Sequence, residues 1–134
     1  MTFSREDLNP ATLAAPRGYQ NGVKTTGGQL VFIAGQIGWD KDAKIVSDDF
    51  VAQFEQAFWN VLEVVKAAGG APEHLVQTTV YVIDKRVYME KAREVGQVWR
   101  KLAGKHFPSM ALVEVSGLLE PRAQVEIQGI AVIP

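Results

Sequence analysis

The sequence predicts an α+β domain in which one β-sheet is packed by two helices. Three observations predict it. Val-, Ile- and Thr-rich runs of strand length recur at both ends of the chain, two intervening stretches repeat apolar residues at the helical period, and Gly or Asp punctuation separates the segments. At 134 residues with 47% hydrophobic side chains, there is material for one full core, so residues 1–134 are expected to form a single domain.

Residues 1–18, rich in Pro, Ala and Asn, read as an extended arm. Gly22–Thr26 and Gln29–Ile37 read as strands joined by a Gly27-Gly28 hairpin turn, and Asp40–Lys44 as a second turn. The first helix has cap candidates at Ser47 to Asp49 and a stripe at Phe50, Phe54, Ala57, Phe58, Val61, Leu62, Val65 and Ala68, stopped by Gly69-Gly70. Leu75–Ile83 is a strand by its Val, Thr and Tyr content. Asp84 caps a second helix whose stripe is Tyr88, Ala92, Val95, Trp99 and Leu102, with Gly104 as the stop. Gly96 in its interior costs about 1 kcal/mol against Ala, which close packing there would justify. Met110–Gly117 and Gln124–Ile133 complete the sheet.

Alternation assigns the strand residues to two faces. Val31, Ile33, Ile37, Ala111, Val113, Val115, Val125, Ile127 and Ala131 fall on one, and Leu30, Phe32, Ala34, Met110, Leu112, Ile130 and Val132 on the other. Both are apolar. Right-handed crossovers put both helices on the same side, which leaves an apolar face for another subunit to cover.

Composition narrows the chemistry. With no cysteine there is no disulfide or thiolate chemistry. The first ten residues carry early charges and no apolar run, and no stretch reaches the length of a spanning helix, so a cytoplasmic protein without a membrane partner is expected. The 14 basic and 15 acidic residues alternate, giving a net charge of −1 and no basic stripe, which argues against nucleic acid as the main partner. The two histidines, His74 and His106, lack ligand spacing, and no metal site is expected. No nucleophile elbow, Walker or dinucleotide motif is present.

The residues left for chemistry are strand carboxylates. Glu126 and Gln128 fall among apolar neighbours on the less covered face, with Glu114 placed beside Leu112. A carboxylate in a partly dry crevice is suited to acid–base work near neutrality. A strand glutamate more often ends in solvent or pairs with a lysine, and pattern alone does not choose between the two. Trp39 is placed at a pocket mouth.

Several motifs, in order along the chain, carry a resemblance. They are Gly18-Tyr19 with Asn21-Gly22-Val23, Phe32-Ile33-Ala34-Gly35-Gln36-Ile37, and Asn60-Val61-Leu62 through Ala67-Ala68-Gly69-Gly70. Gln77-Thr78-Thr79-Val80-Tyr81-Val82, Phe107-Pro108, Val113-Glu114-Val115 and the run from Val125 to Ala131 follow. Together they resemble the RidA/YjgF family. The resemblance implies a chorismate-mutase-like α+β fold, a mixed sheet with two helices on one face, and a homotrimer whose sheets form a barrel. It also implies a small-molecule ligand in a cleft between subunits and cofactor-free hydrolysis of 2-imino or 2-enamino acids. By the same resemblance Glu126 is the water-handling carboxylate, and Tyr19, Ala34, Gly35, Gln36, Met110 and Leu112 line the cleft.

The departures matter. Ala34 replaces a common serine, Leu112 stands where a cysteine often sits, and Met110 stands where the family's carboxylate-holding arginine belongs. The helix-2 asparagine is absent, with Arg93 nearby. Losing a charge-assisted pair removes roughly 1.5–3 kcal/mol of binding. Simple 2-imino acids are therefore expected to be poor substrates. Two readings remain open: a deaminase for larger, apolar enamines, with Arg93 or Arg122 as substitute cation, or a module that binds a metabolite without turnover. The endoribonuclease or translation-inhibiting activity of some family members is disfavoured by the balanced charge.

Overall fold

A computed structural model describes residues 2–134; Met1, the first residue of the expected arm, lies outside them. The chain enters as β1 (Ser4–Leu8), crosses an arm of turns and bends, and returns as β2 (Gly22–Thr26). β3 (Gln29–Ile37) leads to α1 (Phe50–Ala67) and then, after a 3-10 turn (Pro72–His74), to β4 (Leu75–Val82). α2 (Lys85–Glu90), α3 (Ala92–Ala103), β5 (Ser109–Glu114) and β6 (Val125–Ile133) complete the order. The main sheet is mixed, in the order β3-β6-β4-β5, with β6 antiparallel to both neighbours and β4 parallel to β5.

Most elements form where their local signals place them. Asp49 caps α1 by accepting from the Ala52 N–H at 2.9 Å, and Gly69, at φ +88°, lets the chain leave the helix. Asp84 caps α2 through the Arg86 N–H. Two expectations are corrected. β2 pairs with β1, not β3, so the strands on either side of Gly27-Gly28 join different sheets. Gly28 sits so close to the end of β6 that a Cβ would lie 2.7 Å from the Ile133 carbonyl oxygen, which a hairpin signal in the sequence does not foresee. The single second helix is two, broken at Lys91 (φ −102°, ψ 12°). Its apolar stripe keeps its spacing across the break, so periodicity carries no sign of it.

α1 and α3 cover the same face of the sheet. Phe54, Phe58, Val61 and Trp99 pack there on Ile33, Val80, Ile127 and Ala131 in one buried cluster. Trp99 stacks between Phe58 (ring centroids 4.0 Å apart) and Phe107 (5.9 Å). The opposite face is open, with Phe32 at 73% and Leu30 at 64% exposure. One strand is inverted relative to expectation. β5 pairs in parallel with β4, with Met110 beside Thr78 and Leu112 beside Val80, and those partners point toward the helices. Met110 and Leu112 therefore pack against the core, while Ala111 and Val113 face outward. Both sets in β5 are apolar, so its parity could not be read from hydropathy.

Two polar devices tie the connections to this frame. Gln53, wholly buried on α1, donates to the carbonyls of Ser47 and Arg122 and accepts from the Gln124 N–H at 2.9 Å. A fully satisfied buried amide of this kind fixes the loop before β6. Arg5 on β1 donates to the carbonyls of Glu73, Leu75 and Phe107, fastening the small sheet to the exit from α3.

Candidate active site

Two hollows hold most of the residues singled out in the sequence. The larger, about 420 Å³, lies between α3, β5 and the arm. Its floor is apolar, from Phe54, Val80, Trp99, Met110 and Leu112, and Tyr19 and Arg17 reach it from the arm. The arm is held there by a hydrogen bond from the Gln20 N–H to the Pro108 carbonyl (2.9 Å) and a parallel bridge between Gln20 and Ser109. Gly18, at φ +74°, makes the turn that a side chain would resist. Tyr88 also lines the hollow. Burial raises its phenol pKa above the ordinary value, so the hydroxyl stays protonated through the neutral range.

The second hollow, about 330 Å³, is bounded by Gly35, Ile37, Trp39, Leu119, Glu120 and Glu126. The Glu126 carboxylate lies over the Gly35 backbone, where a Cβ would stand 2.8 Å from both its Cδ and Oε2. A register shift in β3 between Ile33 and Gln36, opposite β6, brings this about. Trp39 is at the edge, as its position in the sequence suggested, and Leu119 beside it is fully exposed.

The structure thus joins Tyr19 with Met110 and Leu112, and Gly35 with Glu126, but not the two groups with each other. Met110 and Leu112 were expected on the same sheet face as Glu126. The parallel register of β5 puts them on the opposite face. Ala34 is exposed on the open face, and Gln36 turns toward a shallow depression beside Trp39 and Asn60, donating to the Ala34 carbonyl at 3.2 Å. Glu114 is not in a cleft with Leu112 on the open face; its carboxylate accepts from the Lys85 N–H and so anchors the start of α2.

The substitute cations also move. Arg122 is paired with Asp48 at 2.8 Å, a contact that raises its pKa, and Arg93 is exposed on α3 outside both linings. The cation in the larger lining is Arg17, which sequence reasoning passed over although it precedes Gly18-Tyr19. Gly96 likewise lines that hollow, and a Cβ there would meet nothing within 4 Å, so close packing does not explain it. Among the described residues no group of three or more His, Cys, Asp or Glu side chains is placed to hold a metal ion, and no helix is long and apolar enough to cross a membrane.

Comparison with known proteins adds four findings. The family model described as Endoribonuclease L-PSP matches residues 10–133. A 2-iminobutanoate/2-iminopropanoate deaminase of Salmonella typhimurium is 34% identical over 108 residues, covering 78% of this chain and 80% of that protein. Among solved structures, a Rid family protein of unknown function from Yersinia pestis superposes with a TM-score of 0.84 at 27% identity, covering 96% of this chain and 98% of its own. Escherichia coli TdcF with bound serine superposes with a TM-score of 0.67 at 27% identity, covering 90% and 91%.

Proposed function

The chain belongs to the endoribonuclease L-PSP family, the RidA/YjgF group, and on that premise we propose that it hydrolyses 2-imino or 2-enamino acids to 2-oxo acids and ammonia, favouring larger, apolar substrates over small ones. Its fold is the chorismate-mutase-like α+β fold of that group. The reaction is redox-neutral. Water adds to C2 of the imine, the carbon–nitrogen bond breaks, and the nitrogen leaves as ammonia. Glu126 takes a proton from the attacking water and passes it to the imine nitrogen, then moves the proton of the resulting C2 hydroxyl to that nitrogen as the C2–N bond breaks, so that the carbonyl forms and ammonia leaves. Tyr19 and the apolar floor at Met110 and Leu112 hold the rest of the substrate.

The observation that carries this reading is the division of the site. Glu126 over Gly35 and the hollow under Tyr19 lie on opposite faces of one sheet, so a single chain cannot bring both to one substrate. Two copies can, if the open face bearing Phe32 and Leu30 is a subunit interface. The proposed assembly is a homotrimer with clefts at the seams. The shift in specificity rests on Met110, which removes a fixed positive charge from the cleft and adds apolar surface.

Ammonia release tests it, with imines generated in place from a panel of amino acids running from alanine to tryptophan. Turnover is expected on the larger imines, and Glu126→Gln is expected to lower kcat by about 100-fold or more. Met110→Arg is expected to raise activity on the imine of alanine. Binding of such compounds with no turnover of any would overturn the catalytic reading in favour of a metabolite-binding module.

A further inference from the structure

We propose that the hollow under the arm is a deep side-chain pocket that selects 2-imino acids bearing a flat aromatic group, with Gly96 setting its depth and Arg17 holding the substrate carboxylate. This rests on the deaminase reading for the identity of the reacting group, but not for the existence of the pocket.

No packing contact within the chain accounts for Gly96. A glycine within a helix is unfavourable for the helix, and natural helices keep one there when something must come close. At Gly96 nothing in the chain comes close: an added Cβ meets no heavy atom within 4 Å. The position opens onto the hollow that Met110 and Leu112 also line. The space it leaves is bounded by Trp99, itself immobilised by stacking and by a 2.9 Å hydrogen bond from its Nε1–H to the His106 carbonyl. With both faces of the Trp99 ring taken by Phe58 and Phe107, its edge borders the space left beside Gly96, and a planar apolar group packs on such an edge in the edge-to-face manner.

Arg17 brings a positive charge to the lining. Arg5, Arg86 and Arg122 are each paired with a carboxylate, whereas Arg17, like Arg93 and Arg100, has no ion-pair partner among the described residues, and of those three it is Arg17 that lines the hollow. It is exposed, yet it lines the hollow, because the Gly18 turn and the Gln20–Pro108 hydrogen bond press the arm against β5. Its planar fork matches a carboxylate bidentately. The fixed charge missing at Met110 on the floor is thereby supplied from the exposed arm, so a carboxylate held there sits toward solvent, away from the half-buried floor. A longer substrate spans that gap and a small one does not.

The test measures binding to the full chain without turnover, following quenching of tryptophan fluorescence. The probes are phenylpyruvate, pyruvate, and phenylacetone as the uncharged counterpart of phenylpyruvate. Phenylpyruvate is expected to bind at least about tenfold more tightly than pyruvate. Arg17→Ala is expected to weaken phenylpyruvate by about tenfold and leave phenylacetone unchanged. Gly96→Leu is expected to abolish phenylpyruvate binding while the melting temperature holds or rises, and Gly96→Ala to give a smaller loss with a rise in melting temperature. Unchanged phenylpyruvate affinity in Gly96→Leu, or in Arg17→Ala, overturns the proposal. Failure here with ammonia release from the larger aliphatic imines intact sinks only this inference; tight phenylpyruvate binding with no ammonia release from any imine sinks only the deaminase reading.

Discussion

Gly35 and Glu126 meet at a single short distance. The Glu126 carboxylate occupies the volume a Cβ would need, 2.8 Å away, and Gly35 has no positive φ to make alanine strained. Gly35→Ala should therefore be tolerated by the backbone while pushing the flexible end of Glu126 aside. The expected outcome is a melting temperature within a few degrees of wild type and a fall in kcat of about 100-fold, the scale of a small misplacement of a reacting group. Steady-state ammonia release beside a thermal melt checks it. Equal loss of stability and activity would mean that the carboxylate cannot give way.

Elements respond to the groups that join them. Gln53 belongs to α1, but its amide holds the carbonyls of Ser47 and Arg122 and the N–H of Gln124. Gln53→Ala leaves those groups buried without partners, a loss of about 3 kcal/mol. A lower urea midpoint with an unchanged slope is the expected result. α2 carries the pH response. Burial raises the Tyr88 phenol above its ordinary 10.0, so the folded state holds that proton more tightly than the unfolded chain. Its contribution is fully present below about pH 10 and is lost as pH rises through the raised folded value. Melting temperature followed across the alkaline range should fall more steeply in wild type than in Tyr88→Phe. Parallel curves would show that the phenol ionises without strain.

For the whole molecule the question is what covers the open face. Phe32 and Leu30 stand exposed beside Ala34, and burying one such phenylalanine contributes about 1.5–3 kcal/mol. Sedimentation velocity at micromolar concentration should give a trimer for wild type and a folded monomer for Phe32→Asp, with deaminase activity lost in the variant. A wild-type monomer would remove the seam on which the divided site depends.

Local signals carried much of this fold. The caps at Asp49 and Asp84, the α1 stripe, the β4 run and the alternation in β3 and β6 are written in residues only a few positions apart, and the segments formed accordingly. The motifs around Tyr19, Gly35 and Glu126 likewise sufficed to name the family. Tertiary structure decided what depends on residues far apart in the chain. It chose β1 as the partner of β2, and the parallel register of β5 on β4 turned Met110 and Leu112 away from Glu126. It also brought Arg17 to a hollow whose floor and walls lie about forty to ninety-five positions further on and left Gly96 facing empty space. Periodicity fixes the faces of a strand relative to each other, but which face meets the core is set by pairing, and pairing between distant segments is a property of the folded chain.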